Sequence, residues 1–135
     1  EGFFHNWYNY TNRIDMEAIG WSGPPARMRD AIMKAIQAEG ATVSVWQRWP
    51  LPDMTVFQAR NAYGAGCPWA CHGAGDGVSY DPANFPVARR HSDTHFGMTV
   101  PLRAPNGPEA GRLVGQAIRK VMENVKQIDP DTVLG

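Results

Sequence analysis

Long apolar runs, an excess of charge of one sign and a large set of cysteines are all missing from this sequence. No apolar stretch reaches the roughly 18 residues that a membrane-spanning helix needs. The 13 basic and 13 acidic residues balance, which leaves no strong field to hold a phosphate backbone. We therefore expect neither a membrane nor a nucleic acid among the partners of this protein.

Cysteine is nearly absent, since only Cys67 and Cys71 occur. Two cysteines are too few for a disulfide scaffold, so we expect a reducing, cytoplasmic setting. The spacing favours free thiols in a loop. A disulfide is one alternative, and a metal site with His72 is the other, although zinc sites usually have a tighter cysteine pair and four ligands in total.

The first residues, Glu1 to His5, lack an initiator methionine and also lack a basic region followed by an apolar stretch. That pattern does not resemble a secretory signal peptide. We expect that the chain has been processed or is cut from something longer.

The 135 residues, 43% of them apolar, predict one domain over 1–135 with a modest core. Hydrophobic periodicity, turn residues and helix-capping residues predict its elements. In chain order we expect a strand at 6–14, a helix from Ser22-Gly23-Pro24-Pro25 to a C′ residue at Gly40, and a strand at 42–46. Short helices at 55–62 and 84–92 should then flank a glycine-rich loop. A strand at 95–100 and a long helix follow; the helix begins with a capping box, Asn106–Glu109, and ends at Pro130.

That order predicts an α+β fold. We expect a small, about three-stranded, mainly antiparallel sheet with helices packed on one face. The other face carries tryptophan and tyrosine side chains, and we expect it to pack against a partner domain.

Four stretches occur in an order that resembles the C-terminal small domain of the DegT/DnrJ/StrS family of aminotransferases, and the resemblance covers nearly the whole chain. They are Trp7-Tyr8-Asn9-Tyr10 in the first strand, Arg29-Asp30-Ala31-Ile32 through Glu39-Gly40 and Ser44-Val45, Pro50-Leu51 followed by Phe57 and Tyr63-Gly64, and Phe85-Pro86-Val87-Ala88 before the last strand and helix.

The resemblance implies a fold like the C-terminal domain of fold-type I aminotransferases, which depend on pyridoxal phosphate (PLP). It implies an upstream large domain that holds PLP, a homodimer in the full enzyme, a keto-sugar or aminocyclitol substrate and an amino-acid donor. Two histidines of a family loop fall on Trp46 and Pro52 here, so their roles do not carry over. The Cys67–Cys71 insertion departs from the family pattern and suggests a specialised branch, such as antibiotic biosynthesis.

Transamination requires a lysine that forms an imine with PLP. The chain has three lysines, Lys34, Lys120 and Lys126, and each falls off the apolar stripe of its helix. We therefore expect no cofactor in this chain and no catalytic residue. Alone, it should neither bind PLP nor transaminate.

The loop at Gln47, Arg48 and Trp49 is the predicted substrate-binding wall of the complete enzyme. Arginine binds phosphate or carboxylate in a two-pronged fork, and tryptophan stacks on a sugar or base. The alternative is an exposed loop arginine next to tryptophans that pack between domains. A second hypothesis for the whole chain is a free-standing α+β ligand-binding or regulatory module without enzymatic activity.

Overall fold

The computed structural model describes residues 2–3, 8–71, 77–98 and 103–135, and the statements below concern those residues. They form an α+β fold in which a two-stranded antiparallel sheet accompanies five α-helices. The elements are β1 (Tyr10–Arg13), α1 (Pro25–Ala38), a 3-10 turn (Leu51–Asp53), α2 (Thr55–Ala59), a 3-10 turn (Pro82–Asn84), α3 (Pro86–Thr94), β2 (His95–Met98), α4 (Pro108–Glu123), a 3-10 turn (Val125–Gln127) and α5 (Pro130–Leu134).

The sheet pairs β1 with β2, in a register that places Tyr10 opposite Met98 and Arg13 opposite His95. A single bridge joins Ser44 to Gly97, where Ser44 N–H donates to the Gly97 carbonyl at 3.0 Å and Gly97 N–H donates back at 2.8 Å. Since both peptide groups of Gly97 face Ser44, the bridge lies on the edge of β2 away from β1.

The predicted third strand at 42–46 is therefore wrong: the described part of the chain has two strands and this isolated bridge. This segment does have the alternating burial of a strand, because Val43 is buried, Val45 packs against the core and Trp46 is exposed. The Val43 carbonyl, however, accepts a hydrogen bond from Gln37 Nε2 at 2.8 Å. A side chain of α1 thus takes an acceptor that a strand ladder would use.

Both predicted ends of α1 are confirmed. Pro25 occupies the first turn, where a missing N–H has no intrahelical partner to lose. At the other end Gly40 has φ +89°, its N–H donates to Gln37 at 2.9 Å, and Ala41 N–H donates to Ile36 at 3.3 Å. These two bonds form a Schellman motif, which ends the helix and sends the chain into the core at Ala41.

The buried arc of α1 is wider than its apolar spacing predicts, because the helix contacts α4, α5 and β2. Arg29, a charged residue of α1, is only 2% exposed. Its guanidinium forms an ion pair with Asp30 at 2.9 Å. Pairing of this kind keeps a buried guanidinium from losing all the stabilisation that water supplied.

The last part of the chain departs from the prediction at both ends of the long helix. Gly107, not Asn106, is the N-cap of α4, and no side chain caps the helix. Glu109 instead accepts hydrogen bonds from Arg112. At the other end α4 stops at Glu123, and Pro130 begins α5 with Asp129 as its N-cap. Pro130 therefore begins a helix and does not end one. Proline is tolerated in the first turn of a helix, where its missing N–H has no intrahelical partner to lose.

The chain divides into two compact units: unit 1 comprises 1–46 and 93–135, and unit 2 comprises 47–92. Every residue of the described apolar core belongs to unit 1. That core consists of Ile14, Met28, Ile32, Met33, Ile36, Ala41, Val43, Phe96, Met98, Val114, Ala117, Val121 and Val125.

Candidate functional site

The predicted substrate wall begins unit 2, just after the extended segment that ends at Trp46. Gln47 is half-buried, Arg48 is exposed, and Trp49 is 59% exposed. Pro50, which follows, is buried and has extended backbone angles, φ −54° and ψ 151°. The chain bends at Arg48 and Trp49 before it reaches Pro50, and a proline keeps the residue before it out of the helical region.

This surface position suits ligand contact but does not by itself assign it. The Arg48 guanidinium offers a fork of donors to an oxyanion, and the Trp49 indole offers a flat apolar face. The roles of Gln47, Arg48 and Trp49 in substrate binding stay a prediction.

Directly after this segment, Asp53 anchors the 3-10 turn of unit 2. Its side chain is 7% exposed and forms an ion pair with Arg89 of α3, whose side chain is 40% exposed. A carboxylate this deeply buried needs a cationic partner, because leaving it unpaired would cost far more than a surface charge would. The pair therefore ties Leu51–Asp53 to α3 within unit 2.

Three half-buried aromatic rings contact one another in unit 2, and we call Phe57, Trp69 and Tyr80 the aromatic cluster. The ring centroids of Phe57 lie 5.9 Å from Trp69 and 5.3 Å from Tyr80, and those of Trp69 and Tyr80 are 6.1 Å apart. Trp69 Nε1 donates to the Tyr80 hydroxyl at 3.0 Å. Trp69 meets the other two rings edge to face, Phe57 and Tyr80 are tilted by 40°, and the bonded indole N–H gives the cluster a specific geometry.

Side chains of α2 and of the residue after it connect this cluster to the neighbouring backbone. The Gln58 amide donates to the carbonyls of Pro52 at 2.6 Å and Tyr80 at 2.8 Å. Arg60 donates to the Val78 carbonyl at 2.7 Å, and its guanidinium lies 5.8 Å from the Tyr80 ring centre. The turn at Pro52 and the segment at 78–80 are thus held to the same helix.

The two cysteines form a disulfide, so the prediction of free thiols is wrong. Cys67 and Cys71 have their Cα atoms 5.8 Å apart, a usual separation for a cross-link. The described residues contain no cluster of histidine, cysteine and carboxylate side chains that fits a metal ion. His72, which the metal alternative needs, and most of the glycine-rich stretch at 73–77 lie outside the described residues.

Unit 1 presents its own exposed aromatic pair. Tyr8 is 57% exposed and Trp46 is 64% exposed, and their rings meet edge to face at 6.1 Å. The Arg103 guanidinium lies 5.2 Å from the Tyr8 ring centre, within cation–π range.

Two open grooves of unit 1 run between the end of α1 and α4, with volumes of about 360 and 240 Å³. The Lys120 ammonium forms an ion pair with Glu39 at 2.7 Å, and both residues line both grooves. Ala41, Leu113 and Val114 line the larger groove. Neither groove includes a residue of the predicted substrate wall.

All three lysines are exposed, as their positions in the sequence predict. Lys120 forms the ion pair with Glu39 and has 65% of its side chain exposed. A lysine that forms an imine is normally desolvated, because burial lowers the pKa of its ammonium and frees the amine. Lys34, Lys120 and Lys126 do not have that buried environment.

Neither the aromatic cluster nor the buried side chain of Asp53 was predicted from the sequence. The only signal for the cluster is a set of aromatic residues on both sides of a glycine-rich loop, which a periodicity of 2 or 3.6 does not detect.

Within the described residues, no helix has the length and hydropathy to cross a bilayer. Comparison with models of known protein families finds no match, and comparison with curated proteins finds none either.

Proposed function

We propose that this chain is the C-terminal small domain of a PLP-dependent aminotransferase of the DegT/DnrJ/StrS type. The observation that carries the proposal is the order of the four family-like stretches along the α+β elements. Tyr10 begins β1, the second stretch runs along α1 to Gly40, and Leu51 begins the first 3-10 turn. Pro86 then begins α3, directly before β2.

The cofactor belongs to another part of the enzyme in this proposal. The exposed lysines support that division, because none has the environment of an imine-forming residue. The upstream large domain would hold PLP, two copies would form the enzyme, and this chain would supply one wall of the substrate cleft. The substrate is a keto-sugar or aminocyclitol precursor, the donor is an amino acid, and we expect the enzyme in the cytoplasm.

The full-length protein tests the assignment. We expect the gene to encode, upstream of this chain or beside it, a large domain with a buried lysine. The protein that contains both parts should bind PLP with its characteristic absorbance, and this chain alone should not. The opposite result is a PLP spectrum in the isolated chain that is lost in Lys34→Ala, Lys120→Ala or Lys126→Ala. That result would contradict the proposal that the large domain alone holds PLP.

Kinetics of the full-length enzyme test the substrate wall. If Arg48 binds an oxyanion of the substrate, Arg48→Ala should raise KM for the sugar substrate about tenfold, the worth of one charge-assisted hydrogen bond. Because the contact is equally present in the ground and transition states, kcat should change little.

Arg119→Ala is the matched control, since Arg119 is an exposed arginine on α4. Equal kinetic constants for Arg48→Ala and Arg119→Ala would show that Arg48 is an ordinary surface residue. Absence of any large domain from the gene and its neighbours would favour a free-standing binding or regulatory module instead.

A further inference from the structure

The disulfide of unit 2 closes a very small ring at a half-exposed position. Cys67 and Cys71 are four residues apart, so the ring holds five residues. Both cysteines are half-buried, which leaves the bond within reach of a thiol in solution. A cross-link over so few residues removes less chain entropy than one that closes a long loop, so it stabilises the fold less.

The ring contains a member of the aromatic cluster. Trp69 is its central residue and makes its contacts with Phe57 and Tyr80 from within the ring. Its indole N–H also reaches the Tyr80 hydroxyl at 3.0 Å. The cross-link thus limits the positions from which the largest ring of the cluster can enter it.

Cys67 of this ring also forms hydrogen bonds with the backbone of the residues that precede the ring. The Cys67 carbonyl accepts hydrogen bonds from the N–H groups of both Ala62, at 2.9 Å, and Tyr63, at 3.2 Å. Cys67 N–H donates to the Gly64 carbonyl at 3.0 Å. These bonds hold a turn in which Ala65 has φ +50°, a left-handed conformation that a residue with a Cβ adopts only when its surroundings impose it.

We propose that Cys67–Cys71 is a thiol-responsive switch that sets the conformation of unit 2. A dithiol supplies two electrons and two protons: the S–S bond breaks, both cysteines become thiols, and the dithiol leaves as its own disulfide. Opening the ring frees Trp69 from the cluster and lets the turn around Ala65 relax. The switch concerns unit 2 alone and does not rest on the proposed aminotransferase function.

The test uses the full chain and dithiothreitol as the reductant. We expect the oxidised chain to show no reactive thiol and the reduced chain to show both. On reduction the amides of Ala62 and Tyr63 should exchange with deuterium at least about tenfold faster, as measured by NMR, because their shared acceptor moves. The fluorescence of Trp69, taken as the difference between the wild type and Trp69→Phe, should change, and removal of dithiothreitol in air should restore both signals.

The double variant Cys67→Ser, Cys71→Ser is the matched control. It should have the amide exchange and fluorescence of the reduced chain and should not respond to dithiothreitol. If that variant fails to fold, the reversible cycle of the wild type still decides, since it returns to its own starting state.

Two results would overturn the proposal. The first is a disulfide that opens while amide exchange and Trp69 fluorescence stay unchanged, which would make it a passive cross-link. The second is a disulfide that cannot be cycled, either because the thiols are already free in air or because dithiothreitol does not reduce the bond.

Discussion

Single residues in this molecule are constrained by contacts that their own identity does not reveal. Gly97 is buried in β2 and bonds to Ser44 through both of its peptide groups. A Cβ added there would lie 2.6 Å from Asn9 Oδ1 and 3.5 Å from the Tyr10 carbonyl oxygen. A larger residue therefore fits at this position only if the end of the Asn9 side chain moves, since the extended backbone itself would accept other residues.

We predict that Gly97→Ala destabilises the chain by about 1–3 kcal/mol, the usual cost of overpacking, because the Asn9 side chain must move. Asn9→Ala removes the obstructing oxygen, so Gly97→Ala should cost much less in that background. Denaturant unfolding of the wild type, both single variants and the double variant measures the difference. Equal costs in the two backgrounds would show that the Asn9 contact is not the cause.

Asp129 predicts a dependence of stability on pH. A hydrogen bond from the Thr132 hydroxyl at 2.6 Å, and a second from the Asp131 N–H at 3.1 Å, lower the pKa of Asp129 below its ordinary value of 3.8. A carboxyl whose pKa is lower in the folded state stabilises the fold above the unfolded pKa. That contribution is lost as the pH falls through the folded pKa.

The stability difference between the wild type and Asp129→Ala should therefore be largest near neutral pH and should shrink below the ordinary pKa of 3.8. Asp129→Asn keeps an acceptor at the N-cap of α5 but does not titrate, so its difference from Asp129→Ala should not vary with pH. Unfolding curves at several pH values test this. A wild-type difference that grows on acidification would contradict the assignment.

At the scale of elements, one glycine stabilises the end of a helix and another lowers the stability of a helix interior. Gly40 closes α1 with φ +89°, whereas Gly115 lies inside α4. An added Cβ meets no atom within 4 Å at either position. The two sites therefore differ in backbone conformation and not in available space.

We predict opposite effects for the same substitution at these two glycines. Gly40→Ala should cost about 1 kcal/mol, since alanine is strained in the left-handed region. Gly115→Ala should stabilise by about 0.5–1 kcal/mol, because alanine has the higher helix propensity. Thermal or denaturant unfolding measures both, and effects of the same sign would contradict the conformational explanation.

At the scale of the whole molecule, the two units are stabilised by different interactions. Unit 1 contains the described apolar core, in which Ile32 and Ile36 have no exposed surface. Unit 2 has the aromatic cluster, the Asp53–Arg89 ion pair and the disulfide. Its helix α2 is five residues long and has no buried residue.

We predict that unit 2 opens more easily than unit 1. Hydrogen exchange of the oxidised chain should show the amides of Ile32 and Ile36 protected at least about tenfold better than those of Gln58 and Ala59, because local stability follows buried apolar contact. Equal protection in α1 and α2 would show that the chain unfolds as one cooperative body.

Much of what lies close together in the chain could be predicted from the sequence. Pro25 and Gly40 delimit α1 because a missing N–H and a left-handed backbone are local properties that the residue type decides. The surface positions of Lys34 on α1 and Lys120 on α4 follow from helical spacing for the same reason, whereas Lys126 lies in the 3-10 turn after α4.

Tertiary contacts decided the rest, because residue type does not say which distant group will be a neighbour. Val43 alternates like a strand residue, but its carbonyl bonds to Gln37, so a bridge at Ser44 replaces the third strand. Arg29 is buried because α1 contacts three elements, and Cys67 meets Cys71 because the loop turns back on itself. Periodicity reports which side of an element is apolar; burial, backbone pairing and cross-links depend on what packs against it.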